Sequence, residues 1–219
     1  MSQIVFKFPF KKKYFEQDFY VSTNNFSAYK LIESWPNWPD KWVNIFGPKG
    51  CGNTHLSNIL KKKIDKIQIL DSREIQSENI INFQKLECLI IDNYKNDIEE
   101  NLFYSILNQS KQFDNYVVIN SYIPIKDCNF KITDLKSRAK SFVNLGIDLP
   151  TDDLLRVIIS KSFSDKQIEV TPKVSEYIIK NIERSYEKVF KFIKEIDDLS
   201  LSSGKSININ LIKKVLNNE

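Results

Sequence analysis

Short apolar runs alternate with helix-period stretches over the first two-thirds of the chain. Residues 42–46 (WVNIF), 66–70 (KIQIL), 86–91 (LECLII), 116–120 (YVVIN) and 141–145 (SFVNL) each read as a strand, being short, apolar and rich in β-branched side chains. After the first run, the stretch from His55 places Leu56, Ile59, Leu60 and Ile64 near the 3.6-residue helical period. Residues 97–113 and 132–139 also read as helices, and Asp71 and Ser72 suit the cap of a short helix after the second strand. Fully apolar strands separated by helices predict an α/β fold, a parallel sheet with helices on both faces.

Beyond Pro150 the strand pattern stops. Residues 151–161, 172–183, 187–200 and 208–217 all carry helical periodicity, with Gly204 breaking the last two apart and Pro172 fitting a first helical turn after Thr171. The expected organisation is an N-terminal arm at 1–13, an α/β domain at 14–148 and a small all-helical domain at 149–219. No internal repeat or low-complexity linker interrupts it.

Composition narrows the function classes. At 219 residues, 42% hydrophobic and 27% charged, the chain can bury a sizeable core and reads as an ordinary globular protein. Its net charge of +4 is too small to argue for nucleic acid. Cys51, Cys88 and Cys128 are too few and scattered for a disulfide framework or a zinc site. The single histidine, His55, cannot build a metal cluster or a Ser-His-Asp triad. No apolar run approaches the ~20 residues that span a bilayer. The N-terminal lysines follow a very short apolar stretch, the wrong order for a signal peptide, so the expected location is cytoplasmic with no membrane partner.

One stretch carries chemistry. In IFGPKGCGNTHLSNIL, Gly47, Gly52 and Thr54 fall at P-loop spacing, and three of the five glycines (Gly47, Gly50, Gly52) lie within six residues. Such a loop wraps backbone N–H groups around phosphate at a helix N-terminus, with the Thr54 hydroxyl placed for magnesium. Asn53 stands where the pattern has lysine. A strand-end carboxylate that completes such a site is available as Asp92, after four apolar positions. Asn93 follows it; an amide can orient water but cannot act as a base near neutral pH. The loop amides alone suit a diphosphate, whereas efficient hydrolysis is not expected without a charge at position 53.

The P-loop, LIIDN at 89–93, DLKSR at 134–138 and the helical tail resemble the AAA+ portion of the replication initiator DnaA, and most of all its short Hda-type homologues, over nearly the whole chain. Residues 18–39 (DFYVSTNNFSAYKLIESWPNWP) resemble the entry segment of that family. The resemblance implies an AAA+ P-loop sheet followed by a helical lid, with ATP or ADP and magnesium as cofactors. Thr54 and Asp92 become the magnesium-facing residues, Asn120 (with Ser121 beside it) a polar sensor, and Arg138 an arginine finger acting on a neighbouring subunit's nucleotide. The position where the family keeps a second sensor arginine is occupied by Glu187, with Arg184 and Lys188 nearby, so two cationic contacts of the family are replaced here. QIVFKF at 3–8 resembles the peptide with which Hda-type proteins dock on the replication sliding clamp, with Gln3, Ile4, Phe6 and Phe8 as anchors. Taken alone it also reads as an alternating edge strand. The chain ends where the lid ends, so sequence-specific DNA binding is not expected of it. The implied partners are the clamp, DnaA and a further copy of the chain. The function implied is a DnaA-inactivating adaptor; a DnaA-like ATPase and a non-catalytic anchoring or loader module are the alternatives.

Overall fold

The computed structural model describes residues 14–78, 83–166, 170–203, 207 and 209–216. The clamp-type residues Gln3, Ile4, Phe6 and Phe8 lie outside them.

Tyr14–Asp148 forms one compact unit. Its strands are β1 (Trp42–Phe46), β2 (Ile67–Asp71), β3 (Cys88–Tyr94), β4 (Tyr116–Ser121) and β5 (Val143–Gly146). They pair in the order β2-β3-β4-β1-β5, all parallel. The side-chain period of two gives this sheet two buried faces. Trp42, Leu89, Ile91, Val117 and Ile119 share one core with Phe103, Ile106 and Leu107 of helix Glu100–Phe113 and Leu135 of helix Thr133–Lys140. The alternate positions Val43, Ile45, Ile90 and Val118 are equally buried on the opposite face. Among the described residues, the helices of this unit with both ends described are, in chain order, α1 (Phe26–Glu33), α2 (Asn53–Lys61), α3 (Glu100–Phe113) and α4 (Thr133–Lys140).

Local chemistry fixes the boundaries. Asp71 ends β2 and caps the 3-10 turn Ser72–Glu74, its carboxylate accepting from the Arg73 N–H while the Glu74 side chain accepts from the Asp71 N–H. Glu99 caps α3 by accepting from the N–H groups of Asn101 and Leu102, and Asp114 closes it in the left-handed conformation at φ 60°. Asn44 is a wholly buried polar residue inside β1. Its amide donates to Ile119 O and Ser121 Oγ, and its oxygen accepts from Ile125 N–H, so each polar atom is used.

Strand β3 differs from the sequence expectation in an informative way. It runs through Asp92 and Asn93 to Tyr94 instead of closing at Asp92. Its register against β4 shifts between Ile91 and Tyr94, and Asn93 adopts φ 59°. The bulge brings Tyr94 into the same core as Ile91, while Asp92 follows Ile90 by simple alternation onto the opposite face, where Thr54 meets it.

Leu149 onward forms a second compact unit. It contains α5 (Asp152–Ser164), α6 (Pro172–Asn181), α7 (Tyr186–Ser203) and α8 (Ile209–Leu216). Its own core joins Leu155, Ile159, Phe163, Ile178, Phe192, Ile196 and Ile212. Thr151 caps α5 through its hydroxyl, and Pro172 occupies the first turn of α6.

Candidate functional site: the loop between β1 and α2

The loop leaves the C-terminal end of β1 and enters α2 at Asn53. Gly47 donates its N–H to Ser121 O at 3.1 Å, tying the loop's first residue to the end of β4. A Cβ at Gly47 would lie 2.6 Å from the Ile147 carbonyl oxygen, a backbone atom with little room to move. Gly50 (φ 86°) and Gly52 (φ 111°) occupy left-handed space that side chains resist, and Gly52 caps α2. The loop thereby presents backbone N–H groups at the start of a helix, the arrangement that binds anions.

The Asn53 side chain does not extend from this cradle. Its amide points back beneath the loop toward Ile45 O and Ser121 O, each at 3.5 Å, and its oxygen accepts from Cys51 Sγ at 3.2 Å. Burial pushes the Cys51 thiol up to about 11, which keeps it protonated and a weak donor near neutral pH. The loop therefore brings no cation of its own at position 53.

Around the loop a polar cluster closes. Thr54 Oγ1 donates to Asp92 Oδ2 at 2.9 Å. Asn120 Nδ2 donates to Asp92 Oδ1 at 2.9 Å and to Ser57 Oγ at 2.7 Å. Asn120 Oδ1 is buried with no hydrogen-bond partner among the described residues. A hydroxyl and a carboxylate this close form a hard-oxygen pair of the kind magnesium favours. So the donor set fits magnesium and the helix-start backbone fits an anion, while position 53 carries an amide and no charge.

Asn93, expected to stand where ATPases keep a base, faces sideways. Its amide donates to Asp71 Oδ2 at 2.9 Å, and its own N–H donates to Asp92 Oδ1 at 3.1 Å. Arg73 engages Asp71 with both Nε (2.7 Å) and Nη2 (2.9 Å). That guanidinium, then the Asn93 amide, holds the Asp71 carboxyl well below the usual carboxylate range. Sequence reasoning read Asp71 only as a cap; its contact with Asn93 depends on β2 and β3 pairing Asp71 with Asp92, which no local pattern announces.

The segment before α1 lies against the loop. The Phe19 ring would meet a Cβ at Gly52 at 2.9 Å, and it packs 5.3 Å edge-on to the His55 ring. His55 Nε2 lies 2.7 Å from Phe15 O. His55 thus works as a local fastener between this segment and α2.

Arg138 stands in the last turn of α4, away from this cluster in sequence and contacts. Its guanidinium covers the Tyr104 ring at 4.4 Å from the ring centre. In the helical unit, Glu187 is exposed in the first turn of α7, Arg184 pairs with Asp152 at 2.8 Å, and Lys188 lies 3.8 Å from Glu183. Among the described residues no helix is long and apolar enough to cross a membrane.

A phosphate-type loop after β1, a carboxylate at the end of β3 and a polar residue ending β4, on a parallel five-stranded sheet followed by helices, define an AAA+-type P-loop fold. The chain is related at low identity to the chromosomal replication initiator DnaA. It is 24% identical to DnaA of Buchnera aphidicola subsp. Cinara cedri over 247 aligned positions, covering 98% of this chain and 55% of that protein. The chain thus spans about half the length of the curated DnaA relatives it matches. An uncharacterized protein of Haemophilus influenzae is 20% identical over 92% of both chains. No family model matches the chain. Domain III of Thermotoga maritima DnaA superposes with a TM-score of 0.78 at 18% identity, covering 96% of this chain and 98% of that one. AMPPCP-bound DnaA from Aquifex aeolicus gives 0.70 at 19% identity, over 89% and 68% of the two chains. At such identities the structural likeness defines the fold and leaves the activity open.

Proposed function

We propose that this chain is a regulatory adaptor of the Hda type, which docks on the replication sliding clamp through Gln3, Ile4, Phe6 and Phe8 and accelerates ATP hydrolysis by DnaA in trans through Arg138. The observation that carries the reading is an asymmetry of charge. The loop has its glycine-bounded backbone turn but an amide at position 53, turned toward Ile45 O and Ser121 O, while α4 carries Arg138 in its last turn. A guanidinium supplied in trans can be worth ~10³–10⁵ in rate where it meets charge developing on a phosphoryl group. Catalysis then runs on the partner's loop, and a weakened loop here is no obstacle.

The residues that would hold a nucleotide in this chain are the backbone N–H groups of Gly50, Gly52 and Asn53, with Gly47 tying the loop to β4, Thr54 and Asp92 toward magnesium and Asn120 toward the phosphates. The intact Thr54–Asp92 contact favours one second reading, a DnaA-like ATPase turning over its own nucleotide. Two assays separate these. With clamp present, the parent protein accelerates ATP hydrolysis by DnaA, whereas Arg138→Ala and Arg138→Lys, both folded, do not; lysine fails because it lacks the planar fork. The parent alone shows negligible turnover. Stimulation undiminished by Arg138→Ala overturns the adaptor mechanism, and robust turnover by the parent favours the second reading. Alanine at Gln3, Ile4, Phe6 and Phe8 together removes clamp binding, read by surface plasmon resonance, with the melting temperature unchanged. Unfolding of that variant would instead mean that the segment is an edge strand.

A further inference from the structure

The guanidinium of Arg138 rests in a seat that is only half furnished. It lies over the face of Tyr104, on α3, at 4.4 Å from the ring centre. Its Nη2 donates to Tyr104 Oη at 3.4 Å, a long bond, and Tyr104 Oη in turn donates to Asp134 Oδ2 at 3.4 Å. Nη1 is buried and has no hydrogen-bond partner among the described residues. A guanidinium carries five N–H donors in a fixed fork, and the aromatic face satisfies none of them directionally. The carboxylate one turn earlier, Asp134, reaches the arginine only through the tyrosine oxygen.

We infer that Tyr104 is a positioning residue, a resting seat that holds Arg138 retracted on α3 until an anion on a partner takes the guanidinium away. This rests on the adaptor reading above for the identity of that anion, the phosphates bound by DnaA. The ring attracts the cation enough to order it, yet the seat leaves buried donors unpaired. A triphosphate oxygen pair satisfies the fork bidentately and so outcompetes the ring. The seat has two consequences. It keeps a long cationic side chain from pairing with the wrong carboxylate on the surface, and it taxes every productive encounter by the fraction of molecules still seated.

The experiment compares the parent with Tyr104→Leu, which removes the aromatic face, and Tyr104→Phe, which keeps the face and removes only the oxygen. Tyr104→Leu lowers the concentration giving half-maximal stimulation of DnaA's ATP hydrolysis by about 2- to 30-fold, the range spanned by a cation–π contact from exposed to desolvated. Tyr104→Phe shifts it less, and Tyr104→Leu has no effect on an Arg138→Ala background. A second readout needs no DnaA. In the parent, the Arg138 side-chain N–H resonance is shifted upfield by the ring current, and the shift is lost in Tyr104→Leu. Titration with inorganic tripolyphosphate removes it from the parent as the side chain leaves the ring. If the parent stimulates DnaA and Tyr104→Leu does so equally or less well, the seat is overturned and the adaptor reading stands. If the parent does not stimulate at all, the adaptor reading falls and the resonance decides the seat. An Arg138 signal without ring-current shift, or one that tripolyphosphate leaves in place, overturns it.

Discussion

Restoring the loop's charge with Asn53→Lys is the most direct perturbation of the site. The amide it replaces makes only two 3.5 Å contacts to Ile45 O and Ser121 O and one sulfur contact, so little native bonding is lost. The substitution places a cation at the first residue of α2, where the helix dipole is unfavourable to it by ~0.3–1 kcal/mol when no anion is bound. With ADP present the sign reverses. One charge-assisted hydrogen bond to phosphate is worth ~1.5–3 kcal/mol, which tightens binding by roughly 10- to 150-fold. At an ADP concentration equal to the parent's dissociation constant, ligand binding stabilises the parent by ~0.4 kcal/mol and the variant by ~1.4–3 kcal/mol. At about 2–4 °C per kcal/mol for a chain of this size, the ADP-induced rise in melting temperature is larger in the variant by ~2–10 °C. Differential scanning calorimetry with and without ADP reads the stability change, and isothermal titration gives the affinity. A variant that folds but binds ADP no tighter than the parent refutes the argument that the missing charge limits nucleotide binding.

Two further outcomes follow from the same geometry. Gly47→Ala drives a methyl group to within 2.6 Å of the Ile147 carbonyl and costs ~1–3 kcal/mol in urea unfolding, although alanine improves most exposed glycine sites; unchanged stability would mean that the loop relaxes freely. Asp71→Asn removes a carboxylate whose pKa is depressed in the folded state, so the parent's advantage is fully present above the unfolded value near ~4 and fades as pH falls below it toward the folded value. Parent and variant stability curves that stay parallel from neutral pH down to pH 2 would contradict the Asp71–Arg73–Asn93 coupling.

Much of the architecture is legible because it rests on local rules. Five apolar runs and a glycine loop were enough to predict a parallel sheet, and the relation of Gly47, Gly52 and Thr54 to Asp92 follows from spacing plus sheet order. The remainder depends on contacts that spacing does not encode. The bulge in β3 replaces a predicted strand end with a strand that continues through Asp92, and only its backbone shows why an asparagine stands at 93. Asn44 offered a signal, a polar residue in the middle of an apolar strand, but its three partners come from β4 and the loop after it. Tyr104 gave none, since nothing distinguishes it from any half-buried aromatic on an amphipathic helix. Arg138 was placed in the right short helix by the DLKSR resemblance, while its lodging on a neighbouring ring lay beyond any pattern in the chain.

The positive φ of Asn93 makes the two departures in the loop region unequal in reversibility. At position 53 the backbone is helical and accepts lysine without conformational penalty, so a single substitution reinstates the missing charge. At position 93 the chain sits at φ 59°, where asparagine is among the tolerated residues and a glutamate is strained by roughly 1–2 kcal/mol. The same bulge commits the side chain to Asp71 on the neighbouring strand. A lineage that had lost both groups could regain phosphate affinity in one step, yet regaining a base would require the strand itself to be rethreaded. A cation at position 53 asks only for a different side chain; a base at position 93 asks for a different path of the main chain.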